Sequence, residues 1–164
     1  MPWLPQFSIR QPQPNDLVDS PMEVCGVGTG FEGVFEARVR DGNGAELARQ
    51  TINAGGTGIW GNFHVTLAVG VPTTAQGTLE IYENSARDGS EVGMVTVPVV
   101  FGVALVDPYH GFAQYEVVSG DTLSAVAQTW LGNAALYTAI FEANRDQISD
   151  PNLIYPGQVL RIPQ

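Results

Sequence analysis

The chain of 164 residues predicts two domains of different class, an all-β antiparallel sandwich followed by a small α+β unit. Apolar residues recur with period two up to about residue 103 and with helical spacing after residue 114. Gly (19) and Pro (11) are frequent, which indicates many turns between short strands.

These changes of pattern set the expected domain limits. We predict a sandwich at residues 1–103, of which 1–6 are flexible, a linker at 104–113 and the second domain at 114–164. The linker segment contains Asp107-Pro108 and a glycine, residues that interrupt regular structure.

The strand pattern of the first domain is clearest at residues 31–40. Phe31, Phe35, Ala37 and Val39 alternate there with charged or polar residues, which predicts a strand with one face in a core. A turn at residues 41–44 then leads into a hairpin partner. The segment 94–103 is almost wholly apolar, so we expect a strand that is covered on both faces.

Several turn and core residues of this half resemble the immunoglobulin-like domain of bacterial spore-germination proteins. They are Ser20-Pro21, Gly26, Phe31-Glu32-Gly33, Asp41-Gly42, Trp60-Gly61-x-Phe63, Gly77-Thr78-Leu79, Asp88-Gly89 and the run from Val95 to Phe101. The resemblance implies an immunoglobulin-like sandwich, in which we expect Trp60 to pack inside. Because these positions serve turns and packing, they indicate a fold and not a chemistry.

The second half predicts a strand, two helices and a second strand. Residues 114–118 form the first strand, and residues 158–162 form the last one, which Pro163 ends. Between them, apolar residues at helical spacing predict two helices, separated at Gly132-Asn133 by a stop and a restart.

This half is similar to the LysM family, in the subtype found in bacterial proteins that join LysM to a BON domain. The likeness rests on Tyr115-x-Val117-x-Ser119-Gly120-Asp121-Thr122-Leu123, on Tyr137, on Ile140-Phe141-Glu142-Ala143-Asn144, and on Ile154-Tyr155-Pro156-Gly157-Gln158-x-Leu160-x-Ile162-Pro163. It implies a βααβ fold that binds polymers of N-acetylglucosamine, either peptidoglycan or chitin. The subtype also includes cytoplasmic potassium-binding proteins.

In a LysM-like fold the two corners lie side by side around a shallow groove. The expected glycan-binding residues are Gly120, Asp121, Thr122, Leu123, Asn144, Ile154, Tyr155 and Pro156. An acetamide has one hydrogen-bond donor, one acceptor and a methyl group. Exposed peptide groups can pair with its N–H and its carbonyl, while Leu123 and Ile154 shelter the methyl group. A tryptophan at Gly120 is expected to fill the groove.

Capping and packing offer simpler roles for some of these residues. Asp121 is predicted to cap the first helix, with Thr122 as the second candidate, and Asn144 to bond amides just after the second helix. Trp130 and Tyr137 fall on helical core spacing, which predicts burial. Tyr155 is therefore the better aromatic candidate for contact with a sugar face.

The charge and the residue types exclude several functions. A net charge of −10, with seven arginines and no lysine, argues against nucleic acid and anionic lipid as partners. Cys25 has no partner for a disulfide, and His64 and His110 stand alone, so neither a metal nor a cofactor is expected. We expect no membrane-spanning segment, because no apolar run is long enough, and we expect the first residues not to form a signal peptide.

The sequence therefore predicts a non-enzymatic binding protein, with the sandwich as a spacer or a protein-docking module. Pairing Glu142 with Asp121 for glycoside cleavage is disfavoured, since no second acid is placed by a motif. Two alternatives stay open, an assembly protein whose LysM contacts other proteins, and a cytoplasmic cation-binding protein. Location stays open too: cell envelope or outside if an export signal was removed, cytoplasm otherwise.

Overall fold

The structure is a computed structural model that describes residues 6–164, and it contains two separate hydrophobic cores. The first core lies between the sheets of a sandwich and the second lies within a small α+β domain. The sequence predicts that residues 1–6 are flexible. Positions 1–5 of this segment lie outside the described residues, which start at Gln6.

Eight strands build the first domain. In chain order they are β1 (Phe7–Gln11), β2 (Asp16–Val18), β3 (Met22–Gly28), β4 (Val34–Asp41), β5 (Glu46–Asn53), β6 (Gly61–Leu67), β7 (Gln76–Asn84) and β8 (Glu91–Phe101). One sheet has the order β1-β3-β6 and the other the order β2-β8-β7-β4-β5. All pairs are antiparallel except β2 with β8, so the predicted sandwich is confirmed.

An aromatic contact joins the two sheets. Phe35 of β4 lies between Phe7 of β1 and Phe63 of β6, with ring centroids 4.8 and 5.3 Å apart. The tilted and edge-on arrangements are the favourable ones for aromatic pairs. Three side chains that are distant in sequence thereby fix the spacing of the layers.

Three packing predictions for this domain are wrong. Phe31 is 56% exposed, because Glu32 and Gly33 have φ of 59° and 70° and form a turn, so that β4 starts only at Val34. Trp60 is exposed because it follows a loop that the Gly56–Ile59 bridge closes outside both sheets. The first half of β8 is also exposed, at Met94 for example, and the strand is deeply buried only toward Phe101.

The second domain has the predicted order of strand, helix, helix and strand. Its elements are β9 (Phe112–Glu116), α1 (Leu123–Leu131), α2 (Tyr137–Ala143) and β10 (Val159–Pro163). The two strands pair antiparallel, with Tyr115 opposite Leu160. Apolar side chains from both helices and both strands form the second core.

The break between the helices follows the predicted residues. α1 ends at Leu131 with Gly132 as its C-cap, and the Asn133 side chain then accepts a hydrogen bond from the Ala135 amide. That cap starts a 3-10 turn at Ala134–Leu136, which runs directly into α2.

Asn144 ties α2 to β10. Its side chain is fully buried; Nδ2 donates to the carbonyls of Ile140 (2.7 Å) and Arg161 (2.8 Å), and Oδ1 accepts from the Arg161 amide (2.8 Å). The predicted bonds to amides just after the helix are therefore wrong, since the amide that its side chain binds belongs to the distant strand. Gln147 adds a side-chain bond to the same oxygen.

The two domains touch directly. The Gln76 side chain donates to the Glu142 carbonyl (3.0 Å), and Arg161 Nη1 donates to the Asn15 carbonyl (2.7 Å). Between the domains, the Tyr109 ring packs so closely on Gly102 that a Cβ there has no room. These contacts hold the second domain beside the start of β7.

Replacing Asn144 should destabilise the second domain. We expect Asn144→Ala to lower the free energy of unfolding by about 3 kcal/mol, because buried carbonyls and an amide lose their partners. Denaturant titration followed by NMR signals of residues 112–163 measures the loss. Asn152→Ala, at an exposed asparagine, is the matched control, and a similar small loss for both variants would contradict this role.

Candidate functional site

The two corners of the second domain enclose a groove of about 390 Å³. The β9–α1 corner, the start of α2 and the segment before β10 supply the lining, which consists of Asp121, Thr122, Leu123, Ser124, Tyr137, Pro151, Asn152 and Ile154. All eight residues belong to the second domain, so the sandwich leaves the groove open. Leu123 and Ile154 belong to the core or pack on it, which gives the groove an apolar floor.

A glycine makes the first corner sharp. The Asp121 amide donates to the Val118 carbonyl (3.2 Å), which closes a turn with Gly120 at its third position. Gly120 has a φ of 95°, a conformation that other residues adopt only with strain. The chain therefore leaves β9 and enters α1 within a few residues.

Thr122, and not Asp121, caps α1. Thr122 Oγ1 accepts a hydrogen bond from the Ala125 amide (3.2 Å). The Asp121 carboxylate instead accepts from the Tyr115 hydroxyl (2.6 Å) and the Val118 amide (2.9 Å). The predicted cap by Asp121 is wrong, because its side chain turns back toward β9.

The same contacts shift two pKa values. The hydrogen bond from the Tyr115 hydroxyl, with a smaller effect of the Val118 amide, holds the pKa of Asp121 below its usual value. The bond to Asp121 and then burial raise the pKa of Tyr115. Both pKa shifts have the same largest cause, because the hydrogen bond from the phenol stabilises the Asp121 carboxylate.

Peptide groups at the groove have unused hydrogen-bonding capacity. Within residues 6–164, the amides of Leu123, Ser124 and Ile154 donate to no protein acceptor, and the Ile154 carbonyl accepts from no protein donor. The first two belong to the first turn of α1, where helical amides have no partner in their own helix. The groove thus combines donors, an acceptor and an apolar floor.

The structure brings together only part of the predicted site. Four of the predicted residues line the groove, namely Asp121, Thr122, Leu123 and Ile154. The other four, Gly120, Asn144, Tyr155 and Pro156, do not line it. Asn144 lies in the core, and Tyr155 is 60% exposed one residue beyond the lining.

Gly120 is unsuitable for blocking the groove. A Cβ at this position would have no heavy atom within 4 Å, so the space beside it is open. A larger residue would instead strain the turn, because of the positive φ. The expectation that tryptophan at Gly120 fills the groove stays a prediction, and the strain that such a variant puts on the turn makes it a poor test of the groove.

Four lining residues were not predicted, Ser124, Tyr137, Pro151 and Asn152. Tyr137 is 38% exposed and Trp130 41%, so the prediction that both are buried is wrong. Tyr137 is the first residue of α2, directly after the 3-10 turn, and its side chain lines the groove. Trp130 packs edge-on against Tyr115 at 6.0 Å but keeps part of its ring in solvent.

In residues 6–164, no group of three or more His, Cys, Asp or Glu side chains is placed to hold a metal ion. None of the helices described is both long and apolar enough to cross a membrane.

Two family models match the chain. The family described as Gmad2, the immunoglobulin-like domain of bacterial spore germination, matches residues 6–90, and the LysM domain matches residues 115–163. Both resemblances inferred from the sequence are thereby confirmed, as is the two-domain fold class. Peptidoglycan binding is the usual role of LysM domains.

Each of the curated relatives matches only part of this chain. A protein named potassium binding protein Kbp, from Escherichia coli O6:H1, is 38% identical over 110 residues, covering 58% of this chain and 74% of the relative. A Mycobacterium tuberculosis protein named as an esterase is 51% identical over 51 residues, which are 31% of this chain but 11% of that protein. An uncharacterised Deinococcus radiodurans protein is 45% identical over 53 residues.

Removing the Tyr115 hydroxyl should change the titration of Asp121. We expect Tyr115→Phe to raise the pKa of Asp121 toward its ordinary value, because it removes the largest cause of the depression. NMR titration of the carboxyl carbon measures this shift. Tyr155→Phe is the control and should leave the titration of Asp121 unchanged. An unchanged pKa of Asp121 in Tyr115→Phe would contradict the role of the phenol.

The same variant should respond differently to acid. The folded-state pKa of Asp121 is depressed, so its contribution to stability is present above the pKa of the unfolded chain and is lost as pH falls through the folded value. Tyr115→Phe should therefore lose less stability than the parent on acidification, as measured by melting temperature against pH. An identical acid dependence would contradict the contact.

Proposed function

This chain belongs to the family of the immunoglobulin-like domain of bacterial spore germination and carries a LysM domain, and from this premise we propose that it is a non-catalytic glycan-binding protein. The ligand is a polymer containing N-acetylglucosamine, with bacterial peptidoglycan as the first candidate and chitin as the second. The sandwich serves as a spacer or docks a protein.

One observation carries the proposal, the groove between the two corners of the LysM domain. The peptide group of Ile154 and the amides of Leu123 and Ser124 supply both kinds of hydrogen-bonding partner for an acetamide. The apolar floor at Leu123 and Ile154 receives the acetamide methyl, and burial of one methyl contributes about 0.8 kcal/mol.

Tyrosine at the groove suits the ring of a sugar. Tyr137 lines the groove with its ring partly exposed, and Tyr155 lies next to the lining residue Ile154. An aromatic face packs against the C–H groups of a pyranose, while the hydroxyl reaches solvent. We therefore add Tyr137 to the proposed contacts and keep Tyr155 at the edge.

The groove lacks the carboxylate pair that glycoside cleavage requires. Asp121 is the one acidic residue among its lining residues, and its carboxylate is already bound by Tyr115 and Val118. The relative named as an esterase shares only a LysM-sized piece with this chain. Reversible binding is the activity that these side chains support.

A single open groove favours weak binding. Useful retention then requires a polymeric ligand or several copies of the protein, because linked sites raise the effective concentration. The acidic surface contributes no attraction at a distance to peptidoglycan, which carries carboxylates itself.

Ser124→Trp should abolish sedimentation with insoluble peptidoglycan. Ser124 is exposed, lines the groove and lies in the first turn of α1, so a bulky side chain there blocks the site without entering the core. We expect at least a tenfold loss of retained protein, equivalent to about 1.4 kcal/mol. The measurement is co-sedimentation of the full chain with purified wall and, separately, with chitin.

Thr138→Trp is the matched control. Thr138 is also exposed and helical, but it does not line the groove, so this variant should sediment like the parent. Equal retention of Ser124→Trp and the parent would refute the groove as the binding site. A parent that binds neither wall nor chitin would favour the assembly role, in which LysM contacts other proteins.

Potassium binding is a second candidate function. It is favoured by the relative named as a potassium binding protein, of which the match covers 74%. If this chain binds potassium, potassium chloride should raise its melting temperature above the value in sodium chloride at equal ionic strength. Identical melting temperatures in the two salts would dismiss this candidate.

A further inference from the structure

The sandwich has a second concave surface, far from the glycan groove. We define the distal pocket as the cavity of about 250 Å³ whose lining includes Phe31, Glu32, Val34, Glu36, Glu83 and Asn84. β7 runs from Gln76, which contacts the second domain, to Asn84 at this pocket, a distance of about 26 Å at the usual rise per residue.

Part of the distal pocket is apolar and exposed. Phe31 is 56% and Val34 is 41% exposed, although both are large hydrophobic residues. The turn at Phe31–Gly33 causes this exposure, because Gly33 packs against the backbone of Ala54 and Gly55 and directs the chain outward. A fixed backbone therefore presents these side chains.

The rest of the pocket is acidic, and no cation within residues 6–164 forms an ion pair with its carboxylates. All seven arginines of the chain lie within the described residues, and none forms an ion pair with Glu32, Glu36 or Glu83. The nearest arginine along β4, Arg38, binds Glu80 and Glu91 instead. Arg87, beside Ala86 in sequence, is exposed and forms no ion pair within residues 6–164.

Glu83 is the most unusual of the three. It is 6% exposed, and its carboxylate accepts from two neutral donors, the Phe31 amide (2.6 Å) and Gln6 Nε2 (3.2 Å). A carboxylate withdrawn from water is costly unless a cation compensates it. Its position at the wall of the pocket allows that cation to come from outside.

We propose that the distal pocket docks a basic segment of a partner protein. An arginine or lysine side chain lays its aliphatic stem along Phe31 and Val34 and directs its cationic head toward Glu32, Glu36 and Glu83. Charge complementarity selects this occupant, because the lining combines exposed apolar side chains with three glutamates. The proposal is independent of the glycan groove.

A short peptide and its neutral analogue test the proposal. The probe is acetyl-Leu-Arg-Leu-amide, and the comparison peptide has citrulline, which keeps the shape of arginine without its charge. We expect the arginine peptide to give saturable NMR shifts of amides in residues 31–36 and 83–86 of the labelled full chain, weakened by salt. The citrulline peptide should give none.

Variants of exposed or half-buried residues sharpen the test. Glu32→Gln combined with Glu36→Gln should lower the affinity for the arginine peptide about fivefold, while Glu116→Gln, an exposed glutamate of the other domain, should leave it unchanged. Phe31→Ala should weaken binding by removing the stem contact, and it keeps every charge.

Three results of the peptide titration would overturn the proposal. They are equal shifts with the citrulline peptide, shifts outside the distal pocket, and no saturable shift at all. A concentration-dependent dimer that the double glutamine variant abolishes would also overturn it, since the occupant would then be a second copy and not a partner.

Discussion

The antiparallel pairing of β9 with β10 is the constraint on which the groove depends. The ladder ends at Glu116 opposite Val159, and two further bonds, from the Val117 amide to Gln158 and from the Gly157 amide to Val117, extend it toward the corners (both 2.8 Å). The chain leaves one strand and approaches the other at the same edge. Asn144 then fixes α2 to β10, so the second side of the groove cannot move independently.

The sandwich adds a second fixed frame. Its layers meet through Phe7, Phe35 and Phe63, and its contacts at Gln76 and Asn15 hold the second domain at one end. The distal pocket lies at the end of β7 that is remote from the contact with the second domain. A protein bound at the distal pocket would leave the groove free, which is an arrangement suited to linking a protein to a polymer.

Local rules predicted most of the fold. Period-two alternation identified β4 from Phe35 onward, and the helical spacing from Leu123 to Leu131 gave both ends of α1. Gly120 and Gly132 marked the turns correctly, because a positive φ is a local requirement. Asp121, Thr122 and Leu123 line the groove for the same reason, since they directly follow Gly120 at the corner.

What the sequence by itself determined was the order of the elements, their periods and the positions of the corners, because these depend on neighbours a few residues apart. Only the tertiary structure decided that Asp121 bonds Tyr115, that Asn144 bonds Arg161 and that Tyr137 reaches the groove. The distal pocket also depends on the tertiary structure, because Phe31 and Glu83 are distant in sequence and come into contact only in the folded domain. Side-chain direction across such distances follows from packing, which no local pattern encodes.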